Sequence, residues 1–495
     1  MTLGRVAAFA GLALVLAGCA SIQMPGEPCV FEFPFVNDYD VINRMTFDWD
    51  DSYVTNRSSV YRQELAGPLS GLAASVYGFR LADDIRTLEG LGFSREKMRR
   101  CYGRSVDYHH PKYGRDRVGY TIASRPSRLP CADYEILLVA VRGTFGRDEW
   151  LSNLNIANTW GAAPEPDPRT LPLLHEGFSR AAESVLEALA EYVATNRIDL
   201  SRAKILVTGH SRGAAVANLI GARLDDAPAE TPFATVNRDN VFVYTFATPN
   251  VTIRRDDSVR QAKYGNIFNV ISPEDMVPNV PIAEWGSARY GKDLFLRSYA
   301  HLPFLGSWTD SGYSDMKDAY RESCGYDYYH LLFGSDVVEG SVRFAASVMP
   351  TVADCYWVTP KMRAEGNFTS IHSFIEMVLW RTMVGVDEQP RDITLAGDVK
   401  RLANAYSQIT NSDGEEDLKK LDRTIEFINP FSKSDAQPFD PDGRDFSRQP
   451  GFTDVGWMIT CTHSFETYVA WMKSAAQNGP EAVFLNWEEA PCPEK

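Results

Sequence analysis

The chain has 495 residues, 44% of them apolar, enough to bury a sizeable core and too apolar for a disordered chain. Its formal charge is −15, from 65 acidic and 50 basic residues. A surface this acidic argues against nucleic acid or an anionic membrane face as the main partner.

The chain begins "MTLGRVAAFAGLALVLAGCAS", with one early positive charge at Arg5, an apolar run from Val6 to Leu16, and small residues ending at Cys19. The run is too short to cross a bilayer, so the stretch reads as a secretory signal. Its end, Leu16-Ala17-Gly18-Cys19, resembles the bacterial lipobox. That resemblance implies cleavage before Cys19 and a diacylglycerol on its thiol; the plain alternative is an ordinary signal peptide with an incidental cysteine. Ala20 rather than Asp follows Cys19, which points to the outer membrane if the source is a didermic bacterium. Any membrane attachment is then expected through this lipid. Of the remaining thiols, Cys29, Cys101, Cys131, Cys324, Cys355, Cys461 and Cys492, none forms a C-x-x-C pair, and no His cluster has metal spacing. Structural zinc is not expected, nor any other metal or organic cofactor. Export makes disulfides an expectation, with open connectivity.

Residues 20–60 read as a polar, extended leader. "LSGLAASVYGFRLADDIRTL" has helical spacing, and the charged stretch 101–129 reads as hairpins or loops. "YEILLVAVRG" (134–143) is a continuous apolar run rich in β-branched residues, as a buried strand should be. An amphipathic helix is predicted over 171–196, a strand at "KILVT", a helix at "RGAAVANLIGARL", and strands at 241–250 and 266–275. Strands alternating with helices predict an α/β fold, a mostly parallel sheet with helices on both faces, over a core from 60 to 300. Residues 300–450 read as a largely helical insertion or cap with a polar loop at 411–450. Residues 451–495 return to an apolar helical pattern and read as a late part of the core.

Gly209-His210-Ser211-Arg212-Gly213 fits the nucleophile elbow G-x-S-x-G, with a strand before it and a helix after it. The glycines let strand and helix pass a sharply turned serine without a clash. The alternative is a helix-capping serine without chemistry. A serine needs a base, an orienting acid and oxyanion donors, and in this fold their order is Ser, then Asp or Glu, then His. Asp275 closes a predicted strand at the expected place, with Glu274 as its neighbouring alternative. Of eight histidines, chain order leaves His301, His330, His372 and His463 as candidate bases.

Four segments resemble, in the same order, those of the class-three lipases, typified by the fungal triacylglycerol lipases. "VAVRGTFGRDEWLSNLN" resembles the family's R-G-[ST]...D-W-x-x-[DN] segment and "LLHEGFSRAAESV" its H-x-G-F helix start. "GHSRGAAVANL" resembles its elbow, and "YTFATPNV...VISPEDMVPNVP" its F-x-x-P and D-x-V-P segments. "GLAASVYG" is a weaker likeness to its opening helix. The resemblance covers about residues 72–300 and implies an α/β-hydrolase.

It further implies that Thr144 and Arg212 supply oxyanion donors and that the segment after Thr144 is the lid, whose Phe145, Trp150, Leu151 and Leu154 line an acyl site or pack in the core. His175 and His210 match the motifs as structural residues. His463 in "HSFETYVAWM" resembles the family's closing motif, a His followed five residues later by Tyr, whereas His372 in "HSFIEMVLW" has Met377 there. His463 is therefore favoured as base, with His372 and then His330 as alternatives.

Three features depart from the family, the mildest being Ala214 in place of its second glycine after the serine, which a helix accommodates. Arg212 places a large cation next to the nucleophile, which bears on substrate breadth, and a long insertion separates Asp275 from His463. The expected function is hydrolysis of carboxylic esters, most naturally acylglycerols or phospholipids, through Ser211, His463 and Asp275. A surface lipoprotein that binds without turnover, or an acyltransferase using the same groups, is the alternative.

Overall fold

Five segments, all but the edge strand strongly apolar, build the parallel part of one sheet: β5 (Glu135–Val141), β7 (Lys204–His210), β8 (Val241–Phe246), β10 (Ile267–Ile271) and the edge β12 (Lys292–Phe295). In the computed structural model they are joined by the antiparallel strands β3 (Met98–Cys101) and β4 (Tyr120–Pro126), in the order β12-β10-β8-β7-β5-β4-β3. The structure describes residues 26–35, 38–77, 83–101, 118–144, 153, 173–253, 262–272, 275, 277–279, 287–297, 311–324 and 463–487. The signal segment with Cys19, the lid residues Phe145, Trp150, Leu151 and Leu154, Glu274, His301, His330, His372 and the polar loop 411–450 lie outside these.

Alternation along the strands shows why the sheet is buried on both faces. Ile136, Leu138, Leu206, Phe242, Tyr244, Phe246, Phe268 and Val270 belong to one apolar cluster. Their neighbours Leu137, Val139, Ile205, Val207, Val241, Val243 and Ile267 belong to the other. A strand covered on both sides has no solvent face to keep polar, so it reads as a continuous apolar run.

The second cluster is closed by α3 (Glu176–Asn196) and α4 (Arg212–Asp225). On the first face lie α1 (Gln63–Ser75), α5 (Ser311–Cys324) and α6 (Phe465–Asn478), while α2 (Asp83–Gly90) packs beside the amino-terminal strands. Helices on both faces of a mostly parallel sheet in this order make the α/β-hydrolase fold. The antiparallel strands β6 (Leu173–Leu174), β9 (Thr252–Ile253) and β11 (Ser287–Ala288) form a separate small sheet in the order β11-β9-β6.

The polar reading of residues 20–60 is corrected. β1 (Glu27–Phe35) and β2 (Asp38–Trp49) pair as an antiparallel hairpin, and Phe31, Phe33, Met45, Phe47 and Trp49 are core residues. The alternation Phe31-Glu32-Phe33 and Met45-Thr46-Phe47-Asp48-Trp49 gives one strand face to the core and the other to polar residues. Phe33 meets Phe465 of α6 edge-on, with ring centroids 5.7 Å apart, so the hairpin braces the helix that follows His463.

The carboxy-terminal segment returns to the core. Phe465, Tyr468, Val469, Trp471 and Met472 are buried on the first face, and Leu485 N donates to the Phe295 carbonyl at 2.8 Å, extending the β12 edge. The thiols of Cys29 and Cys131 are free, so the expected disulfides find no support at either position. No helix among these residues is long and apolar enough to cross a membrane, and they hold no cluster of potential metal ligands.

Candidate active site

The carboxyl ends of the parallel strands bring the candidate residues together. Ser211 lies between β7 and α4, Thr144 follows β5 on one side, and Asp275 follows β10 on the other. Ser211 has φ 58° and ψ −128°, a left-handed conformation that side chains rarely adopt. Such strain costs about 1–3 kcal/mol and persists where the surroundings enforce it. Here they do: a Cβ on Gly209 would come within 2.4 Å of the Gly213 backbone, and one on Gly213 within 2.2 Å of the Val141 carbonyl. The two glycines let strand and helix approach this closely, and the serine is left at the apex.

His463 immediately precedes Ser464, which caps α6 by accepting from Thr467 N. Its Nε2 is 2.8 Å from Ser211 Oγ and its Nδ1 2.8 Å from Asp275 Oδ2. Asp275 is fully buried, and the His463 side chain is 20% exposed, leaving the imidazole edge open to a substrate. A carboxylate only accepts hydrogen bonds, so Asp275 holds the Nδ1–H tautomer and turns the Nε2 lone pair toward Ser211.

Asp275 is itself held on both oxygens. Its Oδ1 accepts from Val277 N at 2.9 Å, and its Oδ2 accepts the Tyr468 hydroxyl at 2.7 Å. Burial, then the Asp275 charge, pushes the Tyr468 hydroxyl well above its ordinary range, so it stays protonated and donating. Tyr468 also accepts from Ser272 N at 3.1 Å, tying α6 to the end of β10.

On the oxyanion side, Asn153 Nδ2 donates to Thr144 Oγ1 at 2.7 Å. Thr144 Oγ1 thus spends a lone pair on the amide and keeps its own hydrogen for another acceptor. The Asn153 carbonyl lies 3.0 Å from His175 Nε2, and His175 Nδ1 accepts from Phe178 N at 3.3 Å as the cap of α3. Burial holds His175 down at about 3, so it is neutral, with Nε2–H facing Asn153. Arg212 opens α4, where backbone N–H groups point out of the helix end toward an anion.

Arg212 is a large cation next to the nucleophile in sequence, but its guanidinium is turned inward. The side chain is 1% exposed, and its charge reaches buried His175. A residue at the first position of a helix laid against a sheet can turn inward, and this one does.

His210 is buried and packs against His463, Phe465, Tyr468 and Tyr77. Burial, then the neighbouring His463, lowers its pKa well below the usual value, so the ring is neutral. Its Nδ1 lies 2.9 Å from the Tyr77 hydroxyl. In the sequence Tyr77, Tyr468 and Asn153 are motif members without a role, because their partners are set by packing.

Residues 138–285 match the family model described as "Lipase (class 3)". The chain is 23% identical over 252 residues to phospholipase A(1) DAD1, chloroplastic, of Arabidopsis thaliana, covering 48% of this chain and 52% of the relative. It therefore spans about half the length of that curated relative. Solved structures similar to it include a triacylglycerol lipase whose catalytic centre is formed by a serine protease triad (19% identity, 49% of this chain and 83% of that one, TM-score 0.33). Another is the triacylglyceride lipase of Rhizomucor miehei (18% identity, 48% and 81%, TM-score 0.30).

Proposed function

We propose that this chain is a serine hydrolase of carboxylic esters, of lipase or phospholipase type, working through an acyl-enzyme. The observation that carries the reading is the hydrogen-bonded line from Asp275 through His463 to a serine held at a strained strand-to-helix turn. Ser211 Oγ attacks the ester carbonyl as its proton passes to His463 Nε2, and Asp275 stabilises the imidazolium through Nδ1–H. The tetrahedral oxyanion is received by the backbone N–H groups of Thr144 and Arg212 and by the Thr144 hydroxyl. Collapse breaks the ester C–O bond, and His463 returns the proton to the departing alkoxide. Water then repeats the cycle on the acyl-enzyme, releasing the acid and restoring Ser211.

Lipids are the proposed substrate class. The match to the class 3 lipase model and the phospholipase A1 relative support it. An amino-terminal lipid on Cys19, in an exported protein of the outer membrane, is part of the same proposal. Incorporation of a palmitate analogue that is lost in Cys19→Ala tests the anchor.

Labelling with a fluorophosphonate tests the chemistry. The expected result is one adduct on the wild type and none on Ser211→Ala. Folded wild type that takes no label contradicts the proposal and favours a binding protein; labelling with acyl transfer to added alcohol in preference to water favours an acyltransferase.

A further inference from the structure

The turn that carries Asp275 is gripped from behind by a residue that belongs to none of the sequence motifs. Arg289 follows β11 and is 9% exposed. Its Nε donates to Asp293 Oδ1 at 2.8 Å, and its Nη1 donates to the carbonyls of Pro278 at 2.6 Å and Thr248 at 2.5 Å. Pro278 lies three residues after Asp275, and Thr248 lies just beyond β8. A single guanidinium therefore ties the acid turn to the end of the neighbouring strand. Because Asp275 Oδ1 accepts from Val277 N, the path from carboxylate to guanidinium is short and stiff.

The grip continues to the helix behind the nucleophile. Asp293 Oδ1 accepts from Asn269 Nδ2 at 3.0 Å, and Asn269 Oδ1 accepts from Asn218 Nδ2 at 2.9 Å. Asn218 lies in α4, which starts at the elbow, and Thr245 of β8 donates to the same Asn269 oxygen at 2.7 Å. Asn218, Thr245 and Asn269 are all fully buried, where a half-made polar network would be costly and a complete one is rigid. The Arg289 charge also opposes the upward push on the Tyr468 hydroxyl, so the guanidinium is within electrostatic reach of the Asp275–Tyr468 pair.

We propose that Arg289 is a positioning residue for Asp275, holding the acid turn in register with the helix of the nucleophile so that His463 meets Ser211 in line. This rests on the hydrolase reading above. Planar and forked, a guanidinium reaches two carbonyls and a carboxylate at once in a way an ammonium does not reproduce. Geometric error of about 1 Å at a reacting centre can cost on the order of a hundredfold in rate.

The test compares wild type, Arg289→Ala, Arg289→Lys and Asp293→Asn for phosphonylation rate per folded molecule, and for kcat and KM on p-nitrophenyl butyrate. Arg289→Ala is expected to lose about 10- to 100-fold in phosphonylation rate and kcat, with KM within about threefold. Arg289→Lys and Asp293→Asn should fall between it and wild type, and added ethylguanidinium should restore part of the Arg289→Ala rate without affecting wild type. A lowered melting temperature with wild-type phosphonylation and kcat in Arg289→Ala overturns the proposal, because that is the signature of a residue serving the fold alone. Should Arg289→Ala not fold, wild-type kcat in both Arg289→Lys and Asp293→Asn overturns it. Wild type that takes no label at Ser211 defeats the hydrolase reading and this assignment with it, whereas wild-type labelling beside an unimpaired Arg289→Ala defeats this assignment alone.

Discussion

Tyr468 and His463 share one oxygen of Asp275: the phenol donates to Oδ2 at 2.7 Å, and the imidazole Nδ1 lies 2.8 Å from the same atom. Five residues apart on either side of the α6 cap, they reach the carboxylate from two directions and fix its plane. Tyr468→Phe keeps the ring packing and removes the hydroxyl. A hydrogen bond to a charged group is worth about 1.5–3 kcal/mol, so kcat/KM on a short-chain ester is expected to fall about 10- to 100-fold. Wild-type kcat/KM in the folded variant contradicts a part for Tyr468 in holding the acid.

Asn153 should matter through Thr144. Replacing it with Leu removes the amide that occupies a lone pair of Thr144 Oγ1 and frees the hydroxyl to turn away. Loss of one oxyanion donor costs about 100- to 1000-fold in kcat, and partial misdirection should cost less, about tenfold. Steady-state kinetics should place the loss in kcat rather than KM. A change confined to KM would assign Asn153 to substrate binding instead.

The elbow glycines should not tolerate a methyl group. The Cβ of Gly213→Ala would meet the Val141 carbonyl at 2.2 Å, so strand β5 or helix α4 must shift. Lower soluble yield or a lower melting temperature, with loss of Ser211 labelling in whatever folds, is the expected outcome. A fully stable and active Gly213→Ala would show that the backbone there yields easily.

Buried histidines set the acid limit of stability. His175 sits at about 3 in the fold, below the ~6.5 of an unfolded histidine. Between those values the unfolded chain binds the extra proton, so stability present above pH ~6.5 is lost as pH falls. His210, also lowered, acts in the same direction. Urea midpoints should therefore drop from pH 7 to pH 4.5, and His175→Gln should flatten part of that slope; parallel slopes would show that other groups carry it.

Asp225 acts at the other end of the scale. Burial, against the Asn266 amide, raises its carboxyl to about 8, and it lies in the last turn of α4, where a negative charge is disfavoured. A folded pKa above the unfolded ~3.9 means a contribution present in full below pH ~4 and lost as pH rises through about 8. Asp225→Asn should gain on wild type in melting temperature from pH 5 to about pH 8 and level off above it. An advantage independent of pH would contradict the shift.

What was legible in the sequence follows from burial. β5, β7, β8 and β10 are covered on both faces, so they stand out as apolar runs, and the elbow between β7 and α4 stands out through its two glycines. The β1–β2 hairpin is hard to read in the sequence because its short apolar face is flanked by prolines and acidic residues, and it stands out only once α1 and α6 cover it. Asp275 and His463 were legible as candidates through strand order and a motif, but not their shared use of Tyr468, which depends on how α6 packs against β10. Arg289 and the inward turn of Arg212 were not legible, since neither a lone arginine nor its spacing says which carbonyls it will meet.

The central claim is that His463 is the base that activates Ser211, and hydrolysis of p-nitrophenyl butyrate by His463→Ala and His372→Ala beside wild type tests it most directly. Removal of the base should lower kcat by about four or more orders of magnitude in His463→Ala, while His372→Ala stays within about threefold of wild type. The reverse pattern, with His463→Ala active and His372→Ala dead though folded, would contradict the account.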